Sequence, residues 1–123
     1  MRRIDAPLGR LVIYTKDPDA MVDFYSRHFG YRAASRAGDR IIELVPPGAG
    51  AALLLHPAGQ RQKMGQPLVK LVFDVADVPE FCAQAAENGL IFAKIHKADG
   101  YVFANAKDPS GNSVSVSSRA FVI

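Results

Sequence analysis

Two stretches of this chain are written to the same plan. One reads Arg10-Leu11-Val12-Ile13-Tyr14-Thr15-Lys16-Asp17 and the other Lys70-Leu71-Val72-Phe73-Asp74-Val75-Ala76-Asp77. Each opens on a basic residue, continues with Leu-Val and another apolar residue, and reaches an aspartate seven places on. A proline follows in the first turn beyond each aspartate, Pro18 in one and Pro79 in the other. Aspartate accepts from the free N–H groups at a helix start, and proline costs little there because its missing N–H would go unpaired anyway. Asp77 and Glu80 also have the spacing of a capping box. A repeat constrains the fold before any single motif does, because each copy is one structural unit and the copies bury together what one alone leaves open.

A helix is expected after each aspartate. Met21, Phe24, Tyr25, His28 and Phe29 recur at helical spacing in the first half, as do Val78, Phe81, Cys82 and Ala85 in the second. Each pattern stops at a glycine, Gly30 or Gly89, the residue best suited to a left-handed cap. Strand-like segments follow at residues 31–36, 40–45 and 51–56, the last two split by the Pro-Gly-rich run 46–50. Their counterparts are 90–95, 101–106 and 113–118, the last two split by Asp108-Pro109-Ser110-Gly111-Asn112, a strong turn signature. The expected fold is therefore α+β. One domain, residues 1–123, holds two tandem βαβββ modules, about 1–58 and 67–123, joined by a polar linker at about 59–66. Together they form a cupped mixed sheet with the helices on its outer face.

Composition bounds the function classes. With 49% hydrophobic and 22% charged residues the chain is an ordinary globular protein. No apolar run approaches the roughly 18 residues that a membrane-spanning helix needs. The N-terminus, Met1-Arg2-Arg3-Ile4-Asp5, has no apolar stretch of signal-peptide type. A lone Cys82 allows no internal disulfide and suits a reducing cytosol, so a soluble cytoplasmic protein without membrane partners is expected. The net charge of +3 comes from scattered residues, without the clustered basic stripe of a nucleic-acid binder.

Alternation along the strands separates two faces. Leu11 and Ile13, Leu71, Phe73 and Val75, and Val114 and Val116 suit packing under the helices. The opposite faces carry Arg10, Val12 and Tyr14, then Lys70, Val72 and Asp74, then Ser113, Ser115 and Ser117. Such faces either turn to water, as antiparallel sheets often do, or line a pocket. The mixture of apolar and convergent polar groups favours the pocket.

Asp17 through Phe24-Tyr25 to Phe29-Gly30-Tyr31, together with Asp108-Pro109-Ser110-Gly111-Asn112 and the repeat, resembles the vicinal oxygen chelate superfamily. That superfamily includes the glyoxalase I, bleomycin-resistance and extradiol dioxygenase groups. The resemblance covers nearly the whole chain and implies paired βαβββ modules, usually in homodimers. Metal-dependent members would ligate a divalent ion through four strand positions, which fall here on Arg10, about Leu54, Lys70 and Ser115. Arginine stays protonated and lysine must first lose its proton, while serine and leucine offer a divalent ion almost nothing. His56 reaches the first-half position, but one imidazole does not make a site. The expectation is a cup with no metal and no cofactor.

Arg10 and Lys70 are then counterparts, and in a symmetric fold they approach each other. Like charges in a partly dry cup repel unless an anion lies between them or carboxylates neutralise them. One reading is a small anionic ligand held by Arg10 and Lys70, with Tyr14, His56, Asp74, Phe103 and Ser115 completing the site. The other is internal neutralisation by Glu43 or Asp74. Two function classes stay open: a metal-free small-molecule binding protein, or a lyase, isomerase or dioxygenase using unusual ligands or acid–base groups. Tyr101, Phe103 and Tyr14 are candidate aromatic walls. His28 and His96 are expected at the surface, Cys82 in the core, and Phe24 with Tyr25 in the core or an interface.

Overall fold

A computed structural model of the protein describes residue 5, residues 7–66 and residues 69–122. The backbone divides into two compact units, with the boundary between Gln62 and Lys63. It falls within the polar stretch expected to join the modules.

In the first unit, strand β1 (Arg10–Thr15) leads into helix α1 (Pro18–Phe29), then β2 (Arg32–Ser35), β3 (Ile42–Val45) and β4 (Ala52–Pro57). In the second, β5 (Lys70–Asp74) leads into α2 (Val78–Glu87), then β6 (His96–Lys97), β7 (Val102–Lys107) and β8 (Ser113–Ser117), with a 3-10 turn at Arg119–Phe121. The sheet orders are β1-β4-β3-β2 and β5-β8-β7-β6. The first strand of each unit lies parallel to its last, and the other neighbours are antiparallel. Each unit is thus the expected βαβββ module.

The helices begin where the aspartates are. Asp17 Oδ1 accepts from the Ala20 N–H at 3.1 Å, and Asp77 Oδ1 accepts from the Glu80 N–H at 3.1 Å. α1 ends on Gly30 in the left-handed conformation, and Gly89 follows the end of α2 with φ +99°. α1 packs on β2, β3 and β4, whereas α2 packs on β7. Met21, Phe24, Tyr25, Leu44, Leu53 and Leu55 make the core of the first unit; Val78, Ala85, Ala104, Val114 and Val116 make that of the second. The opposite alternation is open, with Val12 50% and Val72 55% exposed. Cys82 is half-buried, and that burial pushes its thiol pKa up, as suits a small packing residue rather than a nucleophile.

The turn before β8 is built around one carboxylate. Asp108 Oδ1 accepts from the N–H groups of Ser110 and Asn112, and Asp108 Oδ2 accepts from Asn112 Nδ2 at 2.8 Å. Gly111 completes the turn at φ +85°, and a Cβ there would stand 2.8 Å from the Gly65 Cα. The proline-glycine punctuation is therefore a packing requirement as well as a turn signal.

Three expectations need correction. Residues 90–95 form no strand. Leu90 and Phe92 are buried, but among the described residues this segment's only backbone bond to β7 is from the Ala93 N–H to the Asn105 carbonyl at 3.0 Å. That bond lies one residue out of the register set by the His96–Phe103 pair, so the ladder is broken as at a bulge and resumes only in β6. His28 is not a simple surface residue, because its ring sits 5.1 Å from that of Phe24 and its Nδ1 is buried without a hydrogen-bond partner among the described residues. His96 is also half-buried, stacked on Phe103 at 5.0 Å.

Gly111→Ala should lower unfolding stability by at least about 2 kcal/mol, because the left-handed backbone cost adds to a backbone collision that cannot relax cheaply. Gly38 has φ +80° but open space around it, so Gly38→Ala should cost only about 1 kcal/mol. Denaturant midpoints check the contrast, and equal losses would contradict it.

Burial, with a smaller contribution from Arg27, holds the His28 pKa below its usual 6.5. Its neutral form is therefore favoured in the folded state. That stability is complete above the unfolded value and is lost as pH falls through the folded one, because the unfolded chain takes the proton first. Thermal midpoints measured from about pH 7.5 down to pH 5 should fall less steeply in His28→Gln than in the unmodified chain. Parallel pH profiles would show that His28 carries no linkage.

Candidate functional site

On the face of the first sheet away from α1, β1 contributes Arg10, Val12 and Tyr14. The parallel register sets Val12 beside Leu54 and Tyr14 beside His56 on β4. Glu43 follows from β3, opposite Leu54. Arg10 Nε lies 4.0 Å from Glu43 Oε1, the outer limit of an ion pair, with the arginine side chain 61% exposed. Such a pair is weak and leaves the guanidinium most of its donors. The rings of Tyr14 and His56 lie 5.0 Å apart. His56 Nδ1 is 2.9 Å from the Pro57 carbonyl. A carbonyl only accepts, so Nδ1 carries a proton and donates to it, which leaves Nε2 as the ring's second polar atom.

The equivalent face of the second sheet is an aromatic shelf with cations at its edges. Lys70 Nζ donates to Asn105 Oδ1 at 3.0 Å and stands 5.7 Å above the Phe103 ring. His96 stacks on Phe103 with 22° between the planes, and Tyr101 is 6.4 Å from Phe103. Arg119 closes the far end, with Cζ 5.3 Å above Tyr101 and Nη1 donating to its hydroxyl at 3.0 Å. The rings hold the cations by cation–π attraction, and the ammonium keeps donors beyond the one that Asn105 takes.

Sequence alternation thus groups Arg10, Tyr14 and His56 on one face of their sheet, and Lys70, Asp74, Phe103 and Ser115 on one face of theirs. Asp74 does not take Lys70 as its partner. It lies at the exposed end of β5, opposite Ser117, and Lys70 turns to Asn105 instead. Ser115 is only 2% exposed and its hydroxyl donates to the Ala104 carbonyl at 3.0 Å. Sequence reasoning missed Asn105 and Arg119. Asn105 shares its β7 face with Phe103 and was within reach of alternation. Arg119 follows β8 in a short turn, where no periodicity points to it.

The four positions at which the superfamily resemblance places metal ligands are related alike in both units. Arg10 pairs with Ala52, two residues before Leu54, and Lys70 pairs with Ser113, two before Ser115. None of the four side chains fits a divalent ion. The guanidinium does not deprotonate, the lysine donates to an amide oxygen, and the serine hydroxyl is spent on a backbone carbonyl. Among the described residues no three His, Cys, Asp or Glu side chains are grouped to hold a metal. The chemistry these faces offer is attraction of anionic and aromatic groups.

Comparison with known proteins agrees with this architecture. An antibiotic-binding protein from Streptomyces sp. CB03234, TnmS3, has a similar structure with a TM-score of 0.77 at 20% identity, covering 94% of this chain and 97% of that one. A lactoylglutathione lyase from Agrobacterium tumefaciens has a TM-score of 0.70 at 21% identity, covering 94% and 95%. A superfamily member from Sphaerobacter thermophilus DSM 20745 has 0.74 at 22%, covering 92% and 97%. Identities this low show the shared fold alone. No curated protein matches by sequence. Residues 8–116 match the family model, and the chain belongs to the Glyoxalase/Bleomycin resistance protein/Dioxygenase superfamily.

Proposed function

We propose that this protein is a metal-free binding protein for a small, flat, anionic molecule. The observation that carries the reading is the state of the four ligand positions. Two hold fixed cations, Arg10 and Lys70, and the hydroxyl of a third, Ser115, is turned to a backbone carbonyl. Enzymes that rely on a metal use it to stabilise a developing oxyanion or to activate water. Arginine and lysine instead bind a charge that is already present, arginine with a planar fork and lysine as a point charge.

The Phe103–His96 stack and Tyr101 supply the flat apolar surface, and Lys70 and Arg119 supply charge at its edges. Stacking on such a surface tolerates many ring systems, whereas the cations select for negative charge. A structural relative described as antibiotic-binding is in keeping with a drug or metabolite as the ligand. Among the described residues no helix is long and apolar enough to cross a membrane. The lone Cys82 suits work in the reducing cytosol, and the superfamily resemblance suggests a homodimer.

A thermal-shift screen of the full chain against aromatic carboxylates, thiol conjugates and antibiotics tests the reading. A ligand at 100 times its Kd adds about 2.7 kcal/mol to stability, so anionic aromatic compounds should raise the midpoint by several degrees. The double variant Arg10→Gln, Lys70→Gln should lose most of that shift. If it leaves every anionic ligand's shift unchanged, the reading fails.

A further inference from the structure

The first unit holds a cavity of about 350 Å³ that the polar sheet face does not account for. It lies where β1 and β4 end and β3 begins, beside the first turn of α1. Ile42, Leu55 and Pro57 are among the apolar groups lining it, with Pro18 and Ala58. Its polar wall is basic, formed by Lys16, Arg40 and His56.

Among the described residues, no acidic side chain lines this cavity. Of the carboxylates adjacent in sequence to lining residues, Glu43 stands 4.0 Å from Arg10, and Asp17 and Asp39 accept from backbone N–H groups. Asp17 Oδ1 accepts from Ala20, and Asp39 Oδ1 accepts from Ile41 at 3.0 Å. Lys16 Nζ donates to the Gln60 carbonyl at 2.9 Å, which fixes the ammonium in place without neutralising it. Arg40 has no ion pair or side-chain hydrogen bond among the described residues. With Nδ1 of His56 bonded to the Pro57 carbonyl, Nε2 remains as the ring's second polar group. The volume is at the lower end of small-molecule sites, and the pattern of apolar lining with a few convergent polar groups is theirs too.

We propose that this cavity is a second binding site, for a compact amphiphilic monoanion: a carboxylate on a single ring or a short acyl chain. The apolar body lies on Ile42, Leu55 and Pro57. The carboxylate meets Arg40, whose paired N–H groups match its two oxygens, with Lys16 as the nearby point charge. The aliphatic lining here and the aromatic shelf of the second unit differ in chemistry, so the two sites favour different molecules.

Titration of the isotope-labelled full chain with benzoate and hexanoate, followed by amide resonances, tests the proposal, with benzamide and hexanamide as neutral controls. The acids should saturably shift Lys16, Leu55 and Ala58. The amides should bind about tenfold more weakly, the value of one charge-assisted contact. Arg40→Gln should weaken the acids about tenfold, and Arg40→Lys should recover part of the loss. Arg40 is exposed, so neither variant threatens folding. Equal affinity for acid and amide, or an Arg40→Gln variant that binds as well as the original, would overturn the assignment. Shifts confined to Val12, Tyr14, Lys70 and Phe103 would also overturn it, and would place the acids on the sheet faces instead.

Discussion

The parallel pairing of first strand with last, β1 with β4 and β5 with β8, is the constraint on which the rest of each unit depends. A parallel pair cannot be closed by a tight turn, so the chain must travel away and return. The helix makes the outward journey and covers one face of the sheet. Two antiparallel strands bring the chain back, which explains the 1-4-3-2 order in both units. The aspartate caps start the helix immediately after the first strand, and the Asp108 turn fixes where the last strand begins in the second unit.

The same pairing decides what each open face displays. Because the two registers are equivalent, Arg10 and Leu54 bear the same relation as Lys70 and Ser115. A divalent ion needs deprotonated or neutral donors that converge. Here those positions carry a guanidinium, a lysine bonded to an amide oxygen, an aliphatic side chain and a hydroxyl spent on a carbonyl. Asn105 and Phe103 steady Lys70, whereas Glu43 holds Arg10 only loosely at 4.0 Å. Leaving these charges without strong carboxylate partners costs little while water reaches them, and the proposed function gives them an anion to meet.

Much of this was legible in the sequence. The repeat gave both helices with their caps, five of the six other strands with close bounds, and the division of residues between faces, because aspartate, proline and alternation act locally. What escaped depended on pairing between segments. The repeat called for a strand at residues 90–95, but a one-residue slip against β7 leaves only His96–Lys97 in the ladder. Asn105 as the partner of Lys70 needed the β5-β8-β7 order, since Lys70 lies opposite Ser113 and Asn105 opposite Ser115 on the strand between them. The basic cavity needed the ends of three strands and the loop at Gln60 brought together, which no period in the chain announces.

Elemental analysis of untagged protein, grown with manganese, iron, cobalt, nickel and zinc supplied, tests the central claim most directly. Fixed cations at the ligand positions predict metal far below one ion per chain after gel filtration, with no change in thermal midpoint on adding a chelator. One tightly held ion per chain, whose removal lowers the midpoint, would contradict the account.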